Sequence, residues 1–440
     1  MQQFQSPFLK ELSERGFISQ ITHPKELDEL MAKQKITAYI GFDCTAKSLH
    51  IGSLMQIMIL RTLQLQGHQP IVLLGGGTTK IGDPSGKDES RQFLDESQIA
   101  SNLEGIKKTL KKFDLSQKDK SLPAFKFVNN NDWLQNLNYI DFLRDFGKRF
   151  SVNKMLTFES VKLRLDRHQP LSFLEFNYMI LQSYDFYELN KNHNCILQIG
   201  GSDQWGNIVS GVDLNRRINS ETVNIDKSGN ETEAKPLKEP IFFTYGLTTP
   251  LLTTSDGKKM GKTADGAVWL DEEMLSPFDY FQYFRNVDDR DVARFLRFFT
   301  DFTPESIDEI LKLDINQQKE RLALGATELC HGRNKARNAL EQAKSIFSGD
   351  ADINFLPEKS IKFSDEEIQN GKKLFEILKE IGICESNGEA KKLIKGGGVR
   401  VGDEKIIDEN CVVKINQQSQ SIKLSVGKKK FFKIKLCSQS

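Results

Sequence analysis

Two short segments lying far apart in the chain, His50-Ile51-Gly52-Ser53 and Lys259-Met260-Gly261-Lys262-Thr263, hold the residue types that handle phosphate. The first follows an apolar strand-like run, Ile36 to Phe42, and opens a helix-like run, Leu54 to Leu65. Backbone N–H groups at such a helix start are expected to face a phosphate. The second segment is a cationic loop with a hydroxyl, and the pair together points to ATP chemistry. Neither is a Walker loop: Gly257 and Gly261, like Gly82 and Gly86, enclose three residues where that motif needs four. The nicotinamide-type glycine fingerprint fails as well, because Lys80 stands where the third glycine after Gly75 and Gly77 belongs. The phosphates must be held another way.

A second constellation lies between Ser172 and Asp185. Tyr178, Gln182 and Asp185 are spaced i, i+4, i+7 and so share one face of a helix. A polar stripe of this kind is either a solvent face or the wall of a small-molecule pocket. The flanking Phe173, Phe176, Met179, Leu181 and Phe186 leave little room for a wholly exposed helix. Taken singly, His50 also reads as a helix-start residue, Lys259 and Lys262 as solvated surface, Gly200 to Asp203 as a strand-to-helix turn with a good N-cap, and Gly82 to Gly86 as a turn.

The elements that must position these groups are strand-like runs at Ala38–Phe42, Pro70–Leu74, Phe125–Val128 and Cys195–Ile199, alternating with helix-like segments. That alternation predicts a mostly parallel sheet covered by helices, with ligands at the carboxyl ends of the strands. The chemistry falls there: Asp43 and His50 follow the first run, Asp83 the second, Asp203 and Gln204 the last. From about Pro277 to Phe347 the pattern becomes helical, with starts at Ser276-Pro277, Thr303-Pro304 and Asn316. Asn354 to Ser364 reads as a linker, Asp365 to Lys395 as two helices, and Val399–Val401 and Ile422–Val426 as short strands after a triple glycine.

Composition bounds the possibilities. The chain has 440 residues, 28% charged and 38% hydrophobic, enough for two or three domains and a sizeable core. No apolar stretch is long enough for a membrane span, and neither a signal nor a transit peptide is evident, so a cytoplasmic location is expected. Cys44, Cys195, Cys330, Cys384, Cys411 and Cys437 are scattered without a close pair; they read as reduced thiols, and no zinc module can be written. The net charge is only +1, but from Asn410 to Ser440 seven lysines and no acid are interleaved with Phe431 and Phe432. Such a tail can attract a polyanion, or serve as a lysine-rich edge strand that resists aggregation.

The run Tyr39 to Ser53 closely resembles the first signature of bacterial-type tyrosyl-tRNA synthetases, which are class I enzymes. So do Ile81 to Lys87, Tyr178 to Asp185 and Gln198 to Asn207, while Lys259 to Thr263 resembles the second signature. Glu385 to Ile394 with Gly396 to Gly402 is similar to an S4-type RNA-binding module. The resemblance implies an α/β fold: a Rossmann-like parallel-sheet catalytic domain (1–276), an α-helical anticodon-side domain (277–350), a linker (351–364) and a small α+β S4-like domain (365–440). It implies formation of tyrosyl-adenylate from tyrosine and ATP, with Mg2+, and transfer of tyrosine to tRNA(Tyr) by a homodimer contacting through Asn138 to Phe150.

Position by position, the resemblance assigns Tyr39 and Asp185 to the substrate phenol and Asp83, Tyr178 and Gln182 to its ammonium, with Gln204 beside tyrosine and adenylate. Asp43, Gly52 and Asp203 fall on the ATP side, Asp203 near the ribose. His50, Ser53, Lys259, Lys262 and Thr263 serve the phosphates, with Lys87 and Arg91 on a second, mobile loop. Lys391, Lys392, Lys395, Arg400, Lys428, Lys429 and Lys430 are expected to meet RNA. Two departures stand out: Ser53 replaces the family's usual second histidine, and Ile40 a frequent cysteine. A tryptophanyl enzyme would not need Asp185 paired with Tyr39, since indole has no phenol. An RNA-binding protein on a synthetase scaffold is the reading that Ser53 and Ile40 motivate and the intact Lys259 and Lys262 oppose, and a free nucleotidylyltransferase would not need the helical and S4-like regions.

Overall fold

Burial on both faces marks the central strands. In the computed structural model, which describes residues 3–83, 94–220, 243–257, 260–263, 266–348, 358–364, 367, 370–402, 404–414, 421–427 and 430–437, the four expected runs are all strands of one sheet. They are β2 (Thr37–Asp43), β3 (Gln69–Gly75), β4 (Lys126–Asn129) and β5 (Cys195–Gly201), joined by β1 (Gln20–Ile21) and β6 (Tyr245–Thr249) in the order β1-β6-β5-β2-β3-β4. Neighbours from β6 to β4 run parallel, and β1 adds an antiparallel edge. β6 is threonine-rich and fully buried, so its sequence carries no apolar run to announce it.

The helix Leu54–Leu65 lies directly after the first signature and buries nearly every side chain, including Arg61, Thr62 and Gln64. A helix apolar or buried all round has to be covered on both sides. One cover is the sheet; the other is the helical segment, whose Asp301 pairs with Arg61 at 2.7 Å. That segment comprises Pro277–Arg285, Val292–Phe299, Pro304–Ile310 and Ile315–His331. The Ser276-Pro277 and Thr303-Pro304 starts are both capped by the expected hydroxyls. The third start falls at Ile315, capped by Asp314.

The chain divides into two compact units, Met1–Ala336 and Arg337–Ser440, so most of the helical segment belongs with the sheet. In the second unit a five-stranded sheet takes the order Glu404–Ile406, Val399–Val401, Ser421–Val426, Lys430–Cys437, Glu358–Lys362. Helices Leu374–Glu380 and Asn387–Lys395 pack on it through Leu374, Leu378, Ala390 and Ile394. The linker reading of 351–364 is corrected in its second half. Glu358–Lys362 is a strand parallel to Lys430–Cys437, and Ile361 and Phe363 are core residues. Its alternating Lys-Ser-Ile-Lys-Phe pattern is a strand period that Pro357 and the mixed charge obscure.

Candidate active site

After β2 the chain builds outward through β3 to β4; β5 and β6 then add on the other side of β2. The sheet order therefore reverses between β2 and β5, where open α/β sheets leave a crevice at their carboxyl edge. A cavity of about 330 Å³ lies there. Twelve residues singled out from sequence line it: Tyr39, Ile40, Asp43, His50, Gly52, Ser53, Asp83, Tyr178, Gln182, Asp185, Asp203 and Gln204.

At its inner end stand Tyr39 from β2 and Asp185 from the helix Phe173–His193. That helix is started by a reciprocal capping box between Ser172 and Glu175. Tyr39 is 1% exposed, and its hydroxyl has no hydrogen-bond partner among the described residues. Asp185 is 2% exposed; its Oδ1 accepts from the Trp133 indole N–H at 2.8 Å and its Oδ2 from Asn130 Nδ2 at 3.0 Å. Burial pushes the Asp185 carboxyl up to about 7, against the two donated hydrogen bonds that hold it down, with Asp43 and Glu188 adding repulsion. Burial, and then the charge of Asp185, raise the Tyr39 hydroxyl well above its ordinary value. A buried phenol next to a buried carboxylate, with one hydroxyl unpaired, is a hydrogen-bonding end for another polar group.

The helix face carrying Tyr178, Gln182 and Asp185 turns inward, as the pocket reading of its stripe requires. Tyr178 donates to Asp43 Oδ1 at 3.2 Å, and the Thr78 hydroxyl donates to the same oxygen at 3.2 Å. A further chain links three lining residues: Gln204 Nε2 donates to Asp83 at 2.7 Å, and Asn207 Nδ2 donates to Gln182 Oε1 at 2.9 Å and Gln204 Oε1 at 3.2 Å. Carboxylates at positions 43, 83 and 185 thus converge on a cavity whose lining, among the described residues, includes no lysine or arginine, an arrangement suited to an ammonium group.

The two signature segments meet at the outer end. Met260 lines the cavity, and Gly261 lies so close to His50 that a Cβ there would stand 3.1 Å from its Nδ1. Gly261 has φ +126°, and Gly52 faces the same ring: a Cβ on Gly52 would come within 2.5 Å of His50 Cε1. At Gly261 the backbone itself calls for glycine, and at Gly52 a side chain fits only if the His50 ring moves.

The expectation that helix-start N–H groups face a phosphate is not met. Ile51 N–H is taken by Val268 O at 2.9 Å, Gly52 N–H by His50 Nδ1 at 2.9 Å and Ser53 N–H by His50 O at 2.9 Å. The short 3₁₀ turn and the bridge between His50 and Trp269 use up these donors. What the turn presents instead is the imidazole: with Nδ1 accepting, the neutral ring carries its proton on Nε2. Ser53 half-faces the cavity and makes no capping hydrogen bond with its side chain.

Lys87, Arg91, Lys259, Lys428 and Lys429 lie outside the described residues. Lys262 and Thr263 are placed by their backbone, which pairs with Gly266 and Ala267. In the second unit, Lys391 sits over the Phe375 ring at 4.6 Å, Lys392 and Lys395 share its helix, and Arg400 is exposed on a strand. Asn130, Trp133, Thr78, Gln56 and Gln198 belong to the site and escaped the sequence reading. Only Gln198 carried a signal, as a buried polar residue inside an apolar strand run, and its Oε1 has no partner among the described residues.

A family model described as tRNA synthetases class I (W and Y) matches residues 31–348. The chain is 50% identical over 435 residues to a tyrosine–tRNA ligase of Rickettsia bellii, covering 98% of this chain and 100% of the relative. It is 51% identical over 432 residues to a tyrosine–tRNA ligase of Pelagibacter ubique, covering 98% and 99%. Among solved structures, a C-terminally truncated mitochondrial tyrosyl-tRNA synthetase of Aspergillus nidulans matches with a TM-score of 0.67 and 31% identity, covering 77% of this chain and 94% of that one.

Proposed function

The chain belongs to the class I tyrosyl-tRNA synthetases, and from that membership we infer how its residues divide the work of a tyrosine–tRNA ligase. The enzyme activates tyrosine with ATP to tyrosyl-adenylate and then transfers tyrosine to the 3′-terminal adenosine of tRNA(Tyr). Tyr39 and Asp185 receive the substrate phenol; the unpaired Tyr39 hydroxyl beside a buried carboxylate is the observation that carries this assignment. Phenylalanine would leave both groups unsatisfied, a stronger rejection than a cavity mismatch. Strong discrimination of tyrosine from phenylalanine without an editing step is already a known property of this enzyme family. Asp83, Tyr178 and Gln182 take the ammonium, Gln204 lies beside tyrosine and its adenylate, and Asp43 and Asp203 meet the nucleotide, Asp203 at the ribose.

Adenylation needs no general base, because the tyrosine carboxylate is already ionised when it attacks the α-phosphorus and pyrophosphate leaves. The protein supplies position and charge. His50 offers its Nε2–H to a phosphate oxygen, Ser53 donates from the end of the same turn, and Lys259, Lys262 and Thr263 serve the β- and γ-phosphates with Lys87 and Arg91. Magnesium arrives with ATP, whose phosphates supply oxygen ligands; among the described residues no group of three or more His, Cys, Asp or Glu is placed to hold an ion.

The second unit grips tRNA through Lys391, Lys392, Lys395 and Arg400 and the lysines at 428 to 430, as an S4-like module. No helix among the described residues is long and apolar enough to cross a membrane, and a cytoplasmic site of action fits tRNA as substrate. A homodimer is supported by exposed apolar residues in and near the expected contact region, Tyr139, Ile140 and Phe173, of which Tyr139 and Phe173 line a cavity of about 400 Å³. Pyrophosphate exchange into ATP without tRNA tests the site assignment: exchange driven by tyrosine and weakened, through a raised KM for tyrosine, in Asp185→Asn and Tyr39→Phe supports it, and undiminished exchange in both variants refutes it.

A further inference from the structure

The lysine loop is entered through residues 253–255, and this entering limb is tied to the helical segment by two side chains that belong to neither signature. Asp291 is 2% exposed; its Oδ2 accepts the Ser255 N–H at 2.9 Å and its Oδ1 accepts from Arg294 Nη2 at 2.8 Å. Arg294 also donates to the Thr253 carbonyl. Behind the limb lies a cavity of about 820 Å³, lined by Thr254, Ser255, Val268, Tyr283 and Asp291 among others. Thr254 and Ser255 thus share the wall of this cavity with Tyr283 and Asp291, and the Asp291–Arg294 pair ties the limb to the helical side. Just beyond the limb, a turn closed by Gly257 N–H on Thr254 O and the bond from Met260 N–H to Leu252 O lead straight to Met260 and Gly261, which rest against His50 and Gly52.

A buried carboxylate that accepts a backbone N–H and a guanidinium is costly to bury and strongly directional once satisfied. Here both of its partners serve the loop limb: one is the limb's own N–H, and the other is the arginine that holds the limb's carbonyl. We propose that Asp291 and Arg294 are positioning residues for adenylate formation. They form a strut from the helical segment that fixes the entering limb and thereby the seat of Met260 and Gly261 against His50. The inference rests on the reading that the lysine loop serves the ATP phosphates. Misplacing a charge-bearing loop by about an ångström lowers the rate of a positioned reaction by roughly ten- to a hundredfold. The substrate tyrosine, held at the far end by Tyr39 and Asp185, is not affected.

The test compares Asp291→Asn, Arg294→Ala and Arg294→Lys with the parent chain in tyrosine-dependent pyrophosphate exchange, with kcat and the KM values for ATP and tyrosine taken separately and thermal unfolding recorded alongside. Asp291→Asn keeps one acceptor and opposes the other donor with its amide. The expected result is a fall in kcat, or a rise in KM for ATP, of roughly tenfold or more, with the KM for tyrosine unchanged and Arg294→Lys recovering part of what Arg294→Ala loses. Unchanged kinetics with only a lowered melting temperature, or equal shifts in both KM values, overturns the proposal. If Asp291→Asn does not fold, the partly exposed Arg294 supplies the test through its own pair of variants. Lys262→Ala separates the two levels: if it leaves ATP kinetics intact, the loop reading falls and the strut with it; if it impairs them while the strut variants do not, the strut alone is overturned.

Discussion

Removing one oxygen from Tyr39 disturbs the fold least and the pocket most. Its hydroxyl satisfies nothing among the described residues, so Tyr39→Phe should leave the melting temperature within a degree or two of the parent while weakening tyrosine by about 1 kcal/mol, roughly fivefold in KM. Tyrosine-dependent exchange beside a melting curve checks both halves. Asp185 gives a pH signature. Its folded carboxyl, raised to about 7 chiefly by burial, stands above its unfolded value. Such a group favours the folded state fully below the unfolded value, near 4, and that contribution disappears as pH climbs to about 7. Asp185→Asn cannot titrate. The difference in unfolding free energy between parent and variant should therefore shift in the parent's favour by more than 1 kcal/mol between pH 7.5 and pH 5, measured by urea titration. At this scale the polar stripe of Tyr178, Gln182 and Asp185 was legible because helical spacing alone fixes a shared face. Asn130 and Trp133 were not, because they reach Asp185 from a short helix and its cap whose sequence shows no period, and only tertiary packing sets that encounter.

Among the elements, the turn from His50 to Ser53 is the most constrained. Gly52→Ala places a methyl where the imidazole lies and must push the ring off its bond to the Gly52 N–H. Tyrosine binding, read by calorimetry without ATP, should be unchanged, whereas exchange activity should fall by roughly tenfold or more, the scale of one lost phosphate donor. Four parallel strands could be read from their apolar runs, and the capped helix starts from Ser-Pro and Thr-Pro. β6 could not, since threonine and glycine in a strand buried on both faces mimic a loop. The strand Glu358–Lys362 was mistaken for a linker for a related reason: its partner in the sheet, Lys430–Cys437, lies far along the chain, and half of its pattern is charged. The helix-start N–H donors were anticipated as a phosphate cradle because sequence gives the helix start but not the Val268 carbonyl and the His50 ring that occupy those donors.

For the whole molecule, the exposed apolar surface is the clearest lever. Ile140 is 67% and Phe173 70% exposed, an arrangement a lone soluble surface avoids. Ile140→Asp combined with Phe173→Glu should convert a dimer into a monomer in sedimentation velocity without lowering the melting temperature of the monomer. A parent that already sediments as a monomer removes the homodimer from the proposal. The central position of β2 also has a consequence during synthesis. One of its edges pairs with β3 soon after it is made, but the other waits for β5, from Thr37 to Cys195 in the register. At a ribosomal pace of about 5–20 residues per second, that edge of β2, which carries Tyr39, stays unpaired for roughly eight to thirty seconds. The same strand order that opens the substrate crevice leaves the nascent chain with an unfinished sheet edge, a ready template for wrong pairing.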